Sequence, residues 1–357
     1  MPLREARAVC CILFSSLLLI LSCSPDSPPS FQTALYLYRF NPPAFVELSS
    51  DLQIVDENPF SIPPNCSLFD TFPAPVGRFL LIELSCPNGQ AVLFLDTDTG
   101  SVSQPVTHAD SHYLGWAGDG GSAFLKVDSL GDAGVIRAYT HGKQEDLHIT
   151  GWTYDLSTRP GSDDFVFTFS PGLGYGSELH AARGSGRNSQ LLYEDPFNYI
   201  SFARYSADGR QIAFIKIPDN QTPFTVGELW VMDADGSRPR KLADVDAGHG
   251  YAANWSPDGE WIAFVKRENP GDESADRSPG SLISNIHLVH SESGDVKQVT
   301  FFSSGWVETP HWSPDGSLLA FNTVLNGRMD VQIADTTSGE IWPLMTDPTC
   351  CPAWMRK

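Results

Sequence analysis

Ala253-Asn254-Trp255-Ser256-Pro257-Asp258-Gly259-Glu260-Trp261-Ile262-Ala263-Phe264 returns, barely altered, as His311-Trp312-Ser313-Pro314-Asp315-Gly316-Ser317-Leu318-Leu319-Ala320-Phe321. A worn copy reads Arg204-Tyr205-Ser206-Ala207-Asp208-Gly209-Arg210-Gln211-Ile212-Ala213-Phe214. A repeat of roughly 50 residues built on strand signals is one unit copied around an axis or along a solenoid. In the Trp255 copy an aromatic residue ends a short strand, and Pro257-Asp258-Gly259 turns the chain. Pro presets φ, Asp bonds its own backbone, and Gly takes the positive φ that a β-carbon resists. Trp261 to Val265 is an apolar run suited to a strand buried on both faces. After a loop from Lys266 to about Ser284, Ile286-His287-Leu288-Val289-His290 alternates as a half-buried strand does, and Val296 to Thr300 is a last strand beyond a Gly-containing turn.

Four antiparallel strands with short turns make one propeller blade. The same order fits the Tyr205 and Trp312 copies, and in looser form copies opening at Phe72, Trp116 and Tyr154. The last anchor, Trp354, has no strand after it, while Ala34 to Tyr38 and Ala44 to Leu48 lack an opening aromatic. The expectation is that the Trp354 strand completes the N-terminal blade and closes the ring, which removes open sheet edges. Anchors at Phe72, Trp116, Tyr154, Tyr205, Trp255, Trp312 and Trp354 give an all-β chain with a single β-propeller of about seven four-stranded blades over residues 33–357, with six or eight also open.

The Trp-Ser-Pro-Asp-Gly-x-x-Ile-Ala-Phe phrase, at Trp255 to Phe264, Trp312 to Phe321 and Tyr205 to Phe214, resembles the WD40-like (PD40) repeat of the TolB propeller family. The clear match covers roughly the C-terminal half. It implies the propeller without TolB's N-terminal domain, because strand signals begin soon after the leader. The motif contains no catalytic residue, so the resemblance implies a fold and carries no activity.

Arg4 and Arg7 precede an apolar run from Ala8 to Leu21, too short to span a bilayer well and suited to a secretion signal over residues 1–22. Ile20-Leu21-Ser22-Cys23 resembles a bacterial lipobox, which implies lipidation of Cys23; an ordinary cleaved signal or an uncleaved anchor fits the same run. Residues 23–32, rich in Pro and Ser, read as a tether. Localisation on this reading is the bacterial cell envelope, periplasmic or surface-facing, with membrane contact through the lipid. Cys66 and Cys86 sit about equally far from a turn near Val76, so a disulfide is expected between them, with two buried thiols as the alternative. Cys350-Cys351 leave a vicinal bridge, free thiols or another pairing open.

With 43 acidic against 23 basic residues the formal charge is −20, which repels phosphate backbones and excludes nucleic acid as a partner. There is no G-x-S-x-G elbow, no H-E-x-x-H pair and no Walker loop. Gly172-Leu173-Gly174-Tyr175-Gly176 lacks the strand-to-helix setting of a dinucleotide site. Asp96 to Gly100 and Asp233 to Gly236 lack the bidentate Glu of a calcium loop, and turn chemistry explains them. No metal or cofactor is expected. His108, His112, His249 and His311 lie shortly before anchors, near the expected axial channel, and form the one candidate cluster. The expected function is a monomeric, non-catalytic module that binds a protein or glycan of the envelope on variable loops. The alternative is a lyase or hydrolase with a His-lined site at the channel.

Overall fold

The computed structural model describes residues 34–107, 110–128, 134–149, 152–172, 175–218, 225–247 and 252–355. The proposed signal, tether and Cys23, together with His108 and His249, lie outside the described residues. Strands β1 (Ala34–Phe40), β2 (Pro43–Leu48) and β3 (Ile54–Pro59) begin the chain. The second blade is β4 (Ser67–Pro73), β5 (Phe79–Cys86), β6 (Gly89–Asp96) and β7 (Val102–Ser103); the third is β8 (Ser111–Trp116), β9 (Ser122–Val127), β10 (Val135–Tyr139) and β11 (Gln144–Asp146). The fourth is β12 (Trp152–Thr158), β13 (Asp164–Ser170), β14 (Ser177–Arg183) and β15 (Gln190–Asp195); the fifth is β16 (Asn198–Tyr205), β17 (Gln211–Pro218), β18 (Val226–Asp233) and β19 (Arg240–Asp246). The sixth is β20 (Asn254–Trp255), β21 (Trp261–Arg267), β22 (Ser284–His290) and β23 (Val296–Gln298); the seventh is β24 (Trp306–Trp312), β25 (Leu318–Leu325), β26 (Arg328–Asp335) and β27 (Ile341–Pro343).

The last strand, β28 (Thr349–Met355), pairs antiparallel with β1, Leu35 opposite Trp354 and Tyr38 opposite Cys350. It fills the innermost place of the first sheet, in the order β28-β1-β2-β3. Seven four-stranded antiparallel sheets result, closed as expected into a seven-bladed propeller.

The repeated motif works through two side chains and a backbone angle. Ser256 Oγ donates to Asp258 Oδ1 (2.5 Å) and accepts the Trp261 N–H (2.9 Å), while Asp258 Oδ1 accepts the Glu260 N–H (3.0 Å). Ser313 with Asp315, and Ser206 with Asp208, repeat the pattern. Gly259 has φ +77° with open space about its α-carbon, so the left-handed backbone, and not a shortage of room, requires glycine there.

The anchor tryptophans staple one blade to the one before. The Trp116 indole N–H donates to the Phe72 carbonyl (3.0 Å), Trp255 to Arg204 (3.0 Å), Trp312 to Asn254 (2.9 Å) and Trp354 to His311 (3.1 Å). This slot corrects two anchors expected from the sequence. The Ala74 N–H meets the Phe79 carbonyl, as the Ser256 N–H meets that of Trp261, so the second blade's slot holds Pro73, one residue past Phe72. By the same bond, from the Arg159 N–H to the Asp164 carbonyl, the fourth blade's slot holds Thr158 and not Tyr154. Thr158 keeps the staple with its hydroxyl, which donates to the Trp116 carbonyl (2.9 Å).

The core is divided among the blade seams. Ala263, Val265, Ile286 and Leu288 of the sixth blade pack on Leu319, Phe321 and Ala334 of the seventh, and Leu318, Ala320 and Ile333 of the seventh pack on Leu35, Leu37, Val46 and Trp354 of the first. Each fully buried Val, Leu, Ile or Phe among them stabilises by about 1.5–3 kcal/mol. Both disulfides lie in the first two blades: Cys66–Cys86, as expected, and a vicinal Cys350–Cys351 bridge on β28. Cys351 sits at φ +64°, in the bulge that interrupts pairing with β1 between Tyr36 and Tyr38.

Candidate functional site: the axial channel and entry face

The Ser-x-Asp-Gly turns gather on one face of the disc. The other, which we term the entry face, carries the connections between blades and the hairpins joining second to third strands. The first strand of every blade therefore runs from the entry face to the motif face, and the motif-face ends of several of these strands meet around one cavity.

At the motif end a cavity of about 410 Å³ opens between the anchors, lined by Arg204, Tyr205, Trp255, His311, Trp312 and Trp354 among others. Burial pushes His311 down to about 4, so its imidazole is neutral at pH 7, and its Nε2 is enclosed without a hydrogen-bond partner in the described structure. Farther in stand carboxylates. Burial, with the charges of Glu308 and Glu83 added, pushes Asp70 up to about 7. Asp155, buried in the fourth blade, accepts from Thr168 Oγ1 (3.2 Å) and from the Ala203 N–H of the next blade (3.0 Å), with Arg204 3.7 Å away. Burial is the largest influence on its carboxyl and raises it.

His112 stands near the entry-face end of β8, between two carboxylates: its Nδ1 is 3.6 Å from Glu83 and its Nε2 3.4 Å from Asp110. These acids hold its proton, raising the imidazole above its ordinary range, with Glu83 the main cause. Asp128 lies beside them, where the Asp128 N–H donates to the Asp110 carbonyl (3.1 Å) and its carboxylate pairs with Lys126 (3.2 Å). Of the expected histidine cluster, then, His112 and His311 are the described members. His112 precedes its anchor slot by four residues and His311 by one, an offset of roughly 10 Å along the strands. They lie in the third and seventh blades, and each has its own surroundings. Glu83, Asp110, Asp128 and Asp70 were missed from sequence. A signal for Glu83 was present: one acid inside the apolar run Leu80-Leu81-Ile82-Glu83-Leu84.

Every exposed Phe or Tyr among the described residues belongs to the entry face or its rim: Phe40, Phe69, Tyr175, Phe197 and Phe301, the last three more than 70% exposed. The exposed large aliphatics are elsewhere, on outer strands (Ile54, Val55, Val102, Leu191, Val296) and at one motif-face turn (Val76). The Lys266 to Ser284 connection, also on the entry face, is ordered from within. Arg267 pairs with Asp246 (3.1 Å) and Asp276 (2.6 Å), and Ala275 is fully buried.

No family model matches the chain. It is 30% identical over 122 residues to an uncharacterized protein, YidR, of Escherichia coli strain K12, covering 34% of this chain and 25% of that protein. It is 28% identical over 207 residues to an uncharacterized protein, Atu1656, of Agrobacterium fabrum, covering 57% of this chain and 62% of that protein. The matched stretch thus spans less than two thirds of either curated relative. Among solved structures, an oligogalacturonate lyase in complex with manganese superposes with TM-score 0.60 at 12% identity, covering 88% of this chain and 96% of that one. TolB from Acinetobacter baumannii superposes with TM-score 0.52 at 16% identity, covering 88% of this chain and 79% of that one. At such identities the likeness is one of fold, and with the repeat it sets the type: in fold, the chain is a TolB-like seven-bladed β-propeller.

Proposed function

We propose that this propeller is a non-catalytic binding module, held at a bacterial cell envelope by a lipid on Cys23, that takes a protein or glycan partner on its entry face. The observation that carries the reading is that, among the described residues, the exposed Phe and Tyr rings all belong to that face or its rim. A ring left in water forgoes the stabilisation of burial, and exposed apolar groups gathered on one side mark an interaction surface. The staples and seam cores make the disc a rigid scaffold, while the entry-face loops vary from blade to blade. The net charge of −20 turns such a surface away from nucleic acid. The test is recovery of envelope components by the immobilised chain. Phe197→Ala with Phe301→Ala is expected to abolish recovery while leaving the unfolding midpoint unchanged. Unchanged recovery would remove the entry face from the reading. Cys23→Ser is expected to move the protein from the detergent phase to the aqueous phase; no shift would remove the lipid.

The second reading, an enzyme of the lyase or hydrolase type at the channel, has one observation in its favour: Asp70 has an affinity for protons suited to acid–base work near neutrality. Turnover of acidic oligosaccharides or peptides that vanishes in Asp70→Asn would favour it over the binder.

A further inference from the structure

Asp110 and His112, two residues apart at the start of β8, and Asp128, at the end of the paired strand β9, reach one point beside the second blade. Asp110 belongs to the connection entering the third blade, His112 to β8, and Asp128 to the end of β9. Their ligand atoms, one from each residue, all lie within 4.8 Å of one another. Behind them stands Glu83, on β5 of the neighbouring blade, its side chain only 6% exposed. A carboxylate buried in an apolar strand is costly unless something positive faces it, and what Glu83 faces is Nδ1 of His112. That leaves Nε2 turned toward Asp110. A carboxylate on one imidazole nitrogen fixes the tautomer and aims the other nitrogen outward, which is the arrangement that supports a metal-bound histidine. Asp110 is itself held: its carboxylate accepts the Gln90 N–H, and it lies so close to Gly89 that a β-carbon there would be 2.5 Å from its Cγ. Among the described residues, a cation paired with the group is Lys126, 3.2 Å from Asp128 and on a flexible, partly exposed stem that can swing away.

We propose that Asp110, His112 and Asp128 bind one divalent cation of the first transition row, with Glu83 positioning the imidazole from the second blade. One nitrogen and two carboxylates suit Mn²⁺ or Zn²⁺, whereas Ca²⁺ and Mg²⁺ prefer all-oxygen sets. Bound there, the ion ties the connection that enters the third blade to the ends of β8 and β9 at the entry face. The inference does not rest on what that face binds, and recovery of a partner does not bear on it.

The experiment is calorimetric titration of the full chain with Mn²⁺ and, separately, with Zn²⁺ and Ca²⁺. One saturable equivalent of Mn²⁺ or Zn²⁺ is expected, with Ca²⁺ at least tenfold weaker. His112→Ala, Asp110→Asn and Asp128→Asn should each weaken binding tenfold or more, and Glu83→Gln by roughly ten- to a hundredfold. Lys126→Met should tighten it, an effect that a purely structural ion-pair cluster does not produce. The unfolding temperature should rise with free metal in the wild type and not in the ligand variants. Asp128 is the most exposed of the three ligands, so Asp128→Asn decides the matter if another variant fails to fold. No saturable binding by the wild type at millimolar metal overturns the proposal. So do several weak equivalents that survive in His112→Ala and Asp128→Asn, the mark of general attraction to an acidic surface.

Discussion

Trp354 is expected to control whether the ring stays shut. It lies on β28, is 6% exposed, packs in the seam cluster with Leu35, Leu37, Val46, Leu318 and Ile333, and donates its indole N–H to His311 of the seventh blade. Trp354→Phe keeps a ring and loses that bond, worth about 1 kcal/mol. Trp354→Ala also opens a cavity at the seam between the seventh blade and the first, and the total should be about 3–5 kcal/mol. For a chain of this length that is a fall in Tm of about 5 °C or more. The assay is equilibrium urea unfolding joined to hydrogen exchange of β1 and β28. Because β1 has β28 as its inner partner, the two should lose protection together in Trp354→Ala, before the central strands of the other blades. A midpoint within 0.5 kcal/mol of wild type, or loss of protection in β28 with β1 unchanged, would refute the closure argument; the half-kilocalorie threshold is about the size of an ordinary surface substitution.

Three further outcomes follow from two shielded titratable groups and the bridge. Asp70, raised to about 7, binds its proton more tightly folded than unfolded, so its contribution to stability falls as pH rises from about 4 to about 7; Asp70→Asn should gain stability at pH 8 and little at pH 4, and a pH-independent difference between denaturation midpoints would contradict this. His311 is lowered to about 4, so the opposite sign applies: its contribution is complete above pH 6.5 and is lost as pH falls toward 4, and His311→Asn should flatten that acid limb of the stability profile. Opening the Cys66–Cys86 loop, which spans 20 residues, with Cys66→Ser and Cys86→Ser should cost about 3 kcal/mol in urea unfolding.

The parts of the fold legible in the sequence are those that local chemistry decides. Ser-Pro-Asp-Gly closes its turn with its own side chains, and the apolar second strands announce burial on both faces without help from distant residues. The Cys66–Cys86 bridge was readable because the two residues flank one hairpin evenly. The fourth blade's slot lies four residues beyond Tyr154 because the turn bond from the Arg159 N–H to the Asp164 carbonyl sets it, and there Thr158 supplies with its hydroxyl a link to the preceding blade. The state of Cys350 and Cys351 could not be read from adjacency, since the bulge that brings the thiols together is set by pairing with β1. Asp110, His112 and Asp128 belong to one hairpin and meet because β8 pairs with β9, a register that composition does not announce, while Glu83 joins them from the neighbouring blade only once the two blades sit side by side.

The pairing of β28 with β1 also imposes an order on events. Until residues 349–355 exist, the first blade has three strands and its inner edge is bare, with Leu35, Tyr36 and Leu37 of β1 presented to any passing strand. All other blades can form beforehand from contiguous sequence, so the costliest loop closure in the molecule comes last. During that interval the nascent disc is an open crescent prone to pairing with its neighbours, and a chaperone that shields β1 would act where the need is greatest.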